Sequence, residues 1–91
     1  MNGTRVDHGH RDQTCLTGTV VLTPTGGIGA TNGVLVVEGH SVRIRQVPGP
    51  NNRGVPLSTL NGRQASVCGR FIFDAGEVLL SVTYAEPLLL Q

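Results

Sequence analysis

The sequence predicts an all-β domain of five short strands, with one short helix between the third and fourth strands. Three observations favour this class. Apolar and polar residues alternate over several short runs, which is the period of a β-strand. The chain has 13 Gly and 5 Pro among its residues, and these divide it into short segments joined by turns. Its length of 91 residues fits a single domain.

Composition narrows the functional classes. Charged residues make up 14% of the chain and hydrophobic residues 38%, which is atypical of a disordered chain, and no apolar run is long enough for a membrane span. The net charge of +1 gives no strongly basic field of the kind that accompanies nucleic-acid binding. Residues 1–13 are polar, so we expect a flexible tail, no signal peptide and a cytoplasmic protein. In that compartment Cys15 and Cys68 are expected to be free thiols.

The first three strands follow from alternation. The first is predicted over residues 14–23 and the second over 34–37, which is apolar on both faces. A turn at 38–40 leads to the third strand, in which Val42 and Ile44 face the core. Arg43 and Arg45 then lie side by side on the outer face, about 7 Å apart by strand geometry. This pair is predicted either to bind anions or to form an ordinary solvated face.

The second half contains the clearest turns. Residues 47–56 are predicted to be a loop, and 57–62 a short helix with Ser58 as its N-cap and Gly62 at its end. A fourth strand over 63–73 and a fifth over 78–84 are joined by a tight turn at 74–77. Alternation places the three aromatic residues, Phe71, Phe73 and Tyr84, towards the core. Residues 88–91 form an apolar C-terminal tail.

The order of elements resembles the OB-fold, a small five-stranded Greek-key barrel with a helix between strands three and four. The resemblance is carried by Leu60-Asn61-Gly62-Arg63, by the Val67-x-Gly69 strand and by the closing hairpin at Gly76-Glu77. It covers residues 14–87 and concerns architecture, since an SH3-like barrel or a short β-sandwich would give a similar pattern. It implies that the first and fourth strands are neighbours, with Cys15 and Cys68 on the same outer face.

OB-folds bind single-stranded nucleic acids or oligosaccharides across strands two and three. The resemblance therefore implies a non-catalytic module that binds single-stranded DNA or RNA weakly and without sequence preference. The site residues it assigns are all arginines: Arg43, Arg45, Arg53 and Arg70. No aromatic residue lies on strands two or three to stack on bases, so binding is expected to depend strongly on salt.

The sequence gives weaker support to other functions. His8, His10, Cys15 and Cys68 could be imagined as a metal set, but their spacing is unlike that of structural zinc sites, so we expect no metal and no cofactor. Cys68 could be a nucleophile only if Arg70 lowered its pKa, so a structural thiol is expected instead. We therefore expect that the protein is not an enzyme. The main alternative is an assembly module that forms a homodimer or docks on a larger protein. It would use Val21, Ile72, the apolar second strand and Leu88, Leu89 and Leu90.

Overall fold

The computed structural model describes residues 13–24 and 29–89. Within these ranges the strands are β1 (Thr14–Leu22), β2 (Thr31–Val37), β3 (His40–Gln46), β4 (Arg53–Gly54), β5 (Gln64–Asp74) and β6 (Glu77–Pro87). One 3-10 helix, Leu57–Thr59, lies between β4 and β5. The predicted fourth and fifth strands are thus β5 and β6. The predicted N-terminal tail, apart from Gln13, lies outside the described residues.

The five long strands close into a barrel. Their order is β3-β2-β1-β5-β6, and β3 returns to pair with β6 through Ile44↔Leu80 and Arg45↔Ser81. The β3–β6 pair is parallel, whereas the other pairs among these strands are antiparallel. The all-β class, the five-stranded barrel and the short helical element after the third long strand are therefore confirmed. The strand order is consistent with an OB-like architecture.

The barrel interior is filled by small and medium aliphatic side chains. Val20, Leu35, Ile44 and Leu80 are each at most 2% exposed, and they come from four different strands. Leu57 of the 3-10 helix and Leu60, the residue directly after it, also belong to this core. The predicted inward faces of β1 and β3 are confirmed, because Val20 and Ile44 lie inside while Val21 and Arg43 are exposed. Burial of these aliphatic groups is the main force that holds so small a domain together.

The predicted inward orientation of the three aromatic residues is wrong for Phe71 and Phe73, which are 48% and 79% exposed. Each strand of the β5–β6 hairpin has eleven residues, whereas β3, its neighbour in the barrel, has seven. The hairpin therefore extends past the end of the core. Phe71 and Phe73 keep the predicted face, but they lie where no interior remains to cover them.

The predicted inward orientation of Tyr84 is also wrong, for a different reason. The β5–β6 register shifts between Cys68↔Tyr84 and Gly69↔Val82, which leaves one extra residue, Thr83, in β6. Such a bulge reverses the alternation of faces beyond it. Ala85 is consequently buried in place of Tyr84, which is partly exposed. The sequence gives no direct sign of the bulge.

Two local predictions between β3 and β5 are also wrong. Ser58 is not an N-cap, since the helix begins after Pro56 and has no side-chain cap; the backbone N–H of Leu57 is instead bound by the Gln46 side chain, at 2.8 Å. The loop predicted at 47–56 includes the two-residue strand β4, which pairs with β6 through Arg53↔Tyr84 and Gly54↔Ala85. A Cβ on Gly54 would collide with the Ala85 carbonyl, so this close approach requires glycine.

Cys15 and Cys68 form a disulfide, which corrects the expectation of free thiols. The prediction that they share the outer face of neighbouring strands is confirmed, and the register pairs them directly, with a Cα–Cα distance of 4.0 Å. Directly opposed residues of an antiparallel pair lie within the reach of a disulfide. The bridge joins positions 53 residues apart in sequence and ties β1 to β5.

Candidate nucleic-acid interface

The strand registers bring Arg45 and Arg70 onto one outer surface. Arg45 pairs with Ser81 across β3–β6, and Ser81 pairs with Arg70 across β6–β5. Residues that face each other in register point to the same side of a sheet. The two arginines therefore lie on either side of Ser81, about 10 Å apart between Cα atoms by strand spacing. Arg43 lies two residues before Arg45 on the same face, so three of the four predicted arginines are neighbours.

The tip of the β5–β6 hairpin partly neutralises this surface. The Arg43 guanidinium forms an ion pair with Glu77 at 2.6 Å, and Arg45 forms one with Asp74 at 2.8 Å. Arg45 also donates through Nε to the Asn32 side chain at 3.1 Å. The Arg43–Glu77 pair is more than half exposed, so it contributes little to stability, whereas the Arg45 side chain is only 27% exposed. Both ion pairs make the arginines less available to an anion, because a phosphate would have to compete with two carboxylates for Arg43 and Arg45.

Arg53 is differently placed. It lies on β4 opposite Tyr84, and its side chain has no ion pair or hydrogen bond with residues 13–24 or 29–89. It also lines two shallow grooves of about 420 and 360 Å³. One groove runs from Gly29 and Thr31 past Gln46, and the other contains Asn51, Thr83 and Tyr84. Arg53 is thus the predicted arginine with the best access to a bound anion.

Tyr84 stands beside Arg53 on the outer face. Its hydroxyl donates to the Glu86 carboxylate at 2.6 Å, which fixes the direction of the side chain. That hydrogen bond is the main cause that raises the pKa of Tyr84 above its ordinary value; desolvation and the negative charge of Glu86 add to it. Sequence reasoning missed Tyr84 as a surface residue because the bulge at Thr83 reverses its face. A partly exposed phenol next to an arginine is a suitable stacking surface for a base.

Gln46 gives the larger groove a buried polar wall. It is 7% exposed, and its Oε1 accepts from the Leu57 N–H. Its Nε2 is buried and has no hydrogen-bond partner within the described ranges. An unsatisfied buried amide donor is unfavourable by about 1–3 kcal/mol, so this position favours an acceptor such as water. Its signal in the sequence was a polar residue on the inward face of β3, together with Val42 and Ile44.

The chemistry considered for the cysteines does not hold in this structure. Both sulfur atoms are in the disulfide, so neither Cys15 nor Cys68 offers a thiolate as metal ligand or nucleophile. His8 and His10 lie outside the described residues. Within residues 13–24 and 29–89 there is no group of three or more His, Cys, Asp or Glu side chains that could hold a metal ion.

Comparison with known proteins gives no family. No protein-family model matches the chain, and no curated protein matches it significantly. The described part of the chain contains no helix that is both long enough and apolar enough to cross a membrane.

Proposed function

We propose that this protein is a non-catalytic module that binds single-stranded DNA or RNA weakly and without sequence preference. The observation that supports this most is the pairing of Arg53 with Tyr84 on the outer surface, where two grooves meet. A cation that contacts phosphate and an aromatic ring that stacks on a base are the two parts that sequence-independent binding requires. The OB-like strand order adds support by analogy only.

The remaining arginines have supporting roles in this proposal. Arg70 and Arg45 extend the cationic surface from Tyr84 across β6, while Asp74 and Glu77 reduce its charge. Three arginines, Arg43, Arg45 and Arg70, against these two carboxylates leave one net positive charge at this end of the surface. Binding should therefore be weak, and Arg53 should contribute more than either paired arginine.

The test is fluorescence anisotropy of labelled oligo-dT and oligo-U at about 20 mM and about 150 mM salt. We expect binding at low salt that weakens as salt rises, with a slope of about 0.7 in log K per log salt for each phosphate contact. Arg53→Ala should weaken binding and reduce this slope by about one contact. Tyr84→Ala should weaken binding with little change in slope, because a stacking contact releases no counterions.

Matched controls separate these roles. Tyr84→Phe keeps the ring and should bind like the parent, whereas Arg63→Ala removes an exposed arginine that lies outside the proposed surface. The double variant Arg43→Ala/Arg45→Ala should have a smaller effect than Arg53→Ala. The proposal is wrong if the parent protein gives no anisotropy change at about 50 µM protein in low salt, or if Arg63→Ala and Arg53→Ala have the same effect.

Cytoplasmic residence stays a prediction, and the disulfide counts against it. Disulfides persist in oxidising compartments and are reduced in most cytosols. Acid quenching of cells followed by thiol alkylation would report the state of Cys15 and Cys68 directly. Alkylated cysteines would support cytoplasmic residence, and protected cysteines would support export to an oxidising compartment.

A second candidate, docking on another protein, is favoured by apolar groups on the surface. Val21 is 46% exposed and Leu89 is 79% exposed, whereas Leu90 lies outside the described residues. Val34 and Val36 of β2 are half-buried on the same outer face as Val21. A protein ligand here should bind with little dependence on salt, which distinguishes it from a nucleic acid in the same titration.

A further inference from the structure

The end of β5 has one unpaired edge among the described strands. β1 pairs with Gln64–Gly69 only, from Thr19 to Thr14, while β6 pairs with β5 from Ala65 to Asp74. Residues 70–74, Arg-Phe-Ile-Phe-Asp, therefore have β6 on one side and no described strand on the other. Open strand edges of this kind are the usual sites at which another strand adds to a sheet.

The open edge presents the backbone groups of Phe71 and Phe73. The Arg63 carbonyl accepts from Val20 on the β1 side, and the Gln64 carbonyl accepts from Leu88 on the β6 side. Because successive residues of a strand direct their backbone groups to alternate sides, odd-numbered residues of β5 face the β1 side. The extra residue of the bulge lies in β6, so this alternation continues in β5. The N–H and C=O groups of Phe71 and Phe73 are consequently available to a new strand.

The five residues are complementary to themselves in the antiparallel direction. If two copies pair about a two-fold axis at Ile72, Arg70 of each copy faces Asp74 of the other on the outer face. Phe71 then faces Phe73 on the opposite face, as a pair joined by backbone hydrogen bonds. Aromatic pairs and opposite charges in register are the favourable cross-strand combinations, and like charges are unfavourable. An edge with the same charge at both ends would repel its own copy, whereas this edge attracts it.

Exposed apolar surface lies at the same place. Phe71, Phe73 and Val78 are 48%, 79% and 49% exposed, and Phe73 pairs with Val78 across the hairpin. The Asp74 side chain is 48% exposed despite its bond to Arg45, and that bond uses Oδ2 only. Asp74 can therefore receive a second arginine, and a guanidinium has enough donors to take a further acceptor. Strand pairing would cover part of this aromatic surface and join both arginines to one carboxylate.

We propose that two copies of this chain associate through antiparallel pairing of residues 70–74 about a two-fold axis at Ile72. This interface differs from the surface predicted for the assembly module, which consisted of the second strand and the C-terminal leucines. Its formation does not depend on nucleic-acid binding. The chain's own residues 1–12 are a poorer occupant of the edge. Met1 and Val6 are their only large apolar side chains, so they offer no alternation that matches Phe71 and Phe73.

The first experiment is sedimentation equilibrium of the full chain over a range of concentrations. The contact is small compared with a standard interface, so we expect a dimer with a Kd on the order of 10–100 µM. Asp74→Arg and Arg70→Asp each place like charges opposite one another at both ends of the pairing. Each should weaken association by about tenfold or more. Arg63→Gln removes an exposed arginine outside residues 70–74 and serves as the control, with association close to that of the parent.

Charge exchange then tests the register. The double variant Arg70→Asp/Asp74→Arg restores opposite charges and should dimerise again to within about threefold of the parent. A mixture of the two single variants should form a heterodimer, because one copy carries two Asp and the other two Arg. Failure of both the double variant and the mixture, while the parent dimerises, would overturn this pairing.

Amide exchange of the full chain identifies what covers the edge. The proposal requires protection at Phe71 and Phe73 that rises with protein concentration. Protection that is independent of concentration would show that the chain's own residues occupy the edge. Rapid exchange at about 1 mM protein, which is ten times the upper end of the expected Kd, would show that no strand covers the edge. Either of these two results would overturn the proposal. Neither outcome bears on the anisotropy experiment, so failure of the dimer and failure of nucleic-acid binding can be distinguished.

Discussion

At the scale of single residues, the Tyr84 hydroxyl links the structure to a measurable titration. It donates a hydrogen bond to Glu86 and lies beside a carboxylate, so its neutral form is favoured and its pKa is raised. The contribution of this bond to stability is fully present below the pKa of an unfolded tyrosine. It is lost as pH rises through the higher pKa of the folded protein, because tyrosinate has no proton to donate. At neutral pH the bond is intact.

We predict that Glu86→Gln lowers the pKa of Tyr84 towards its ordinary value. Tyr84 is the only tyrosine and the chain has no tryptophan, so tyrosinate absorbance in the near ultraviolet reports this one group. Glu38→Gln, a change in the β2–β3 turn, is the control and should leave the titration unchanged. Identical curves for the parent and Glu86→Gln would contradict the hydrogen bond.

At the scale of elements, the β5–β6 hairpin determines most of the surface. Its turn is Ala75-Gly76, both residues with positive φ, as in the two-residue turns that suit the twist of a hairpin. The turn places Asp74 and Glu77 against Arg45 and Arg43. The bulge at the other end of the hairpin turns Tyr84 outward. One hairpin therefore supplies the carboxylates, the exposed aromatic residues and the open edge.

The bulge requires glycine at position 69. A Cβ on Gly69 would collide with the carbonyl group of Ser81, which is backbone and cannot move aside. We predict that Gly69→Ala lowers the free energy of unfolding by about 2 kcal/mol or more, as for other overpacked sites. Gly49→Ala is the matched control, because its nearest neighbouring atom is 4.0 Å from the added Cβ. Urea unfolding followed by circular dichroism measures both variants, and equal stability of the two would contradict the close approach.

At the scale of the whole molecule, the barrel is held by its closure and by one covalent link. The β3–β6 pair closes the sheet, and the Cys15–Cys68 bridge ties the first strand to β5. A domain of this size buries a smaller fraction of the surface of its unfolded chain than a larger domain does. A disulfide bridge therefore contributes a substantial part of its stability. It also joins positions far apart in sequence, which restricts the unfolded chain strongly.

We predict that Cys15→Ala/Cys68→Ala lowers the free energy of unfolding by about 2–4 kcal/mol, the range typical of a disulfide. Urea unfolding of the parent with and without a reductant should show a similar difference. The reductant should have no effect on the double variant. A loss below about 0.5 kcal/mol in both experiments would show that the bridge does not constrain the unfolded chain as expected.

The sequence alone determined the class of the protein, because alternation and turn residues act locally. The faces of β1 and β3 and the outer position of Arg43 and Arg45 follow from a period of two, and the positions of the turns follow from Gly, Pro and other turn residues. The shared face of Cys15 and Cys68 needed one further step, the assumption of an OB-like strand order. These features depend on neighbours in the chain or on a simple pairing rule.

Tertiary structure decided what depends on the length and register of strands relative to one another. The hairpin extends past the core, which exposes Phe71 and Phe73, and the bulge at Thr83 turns Tyr84 outward. Exact register also brought Cys15 opposite Cys68 and Arg53 opposite Tyr84. Alternation shows which face a residue occupies, but it does not show where the core ends or where a strand gains a residue. Packing between strands far apart in sequence determines both.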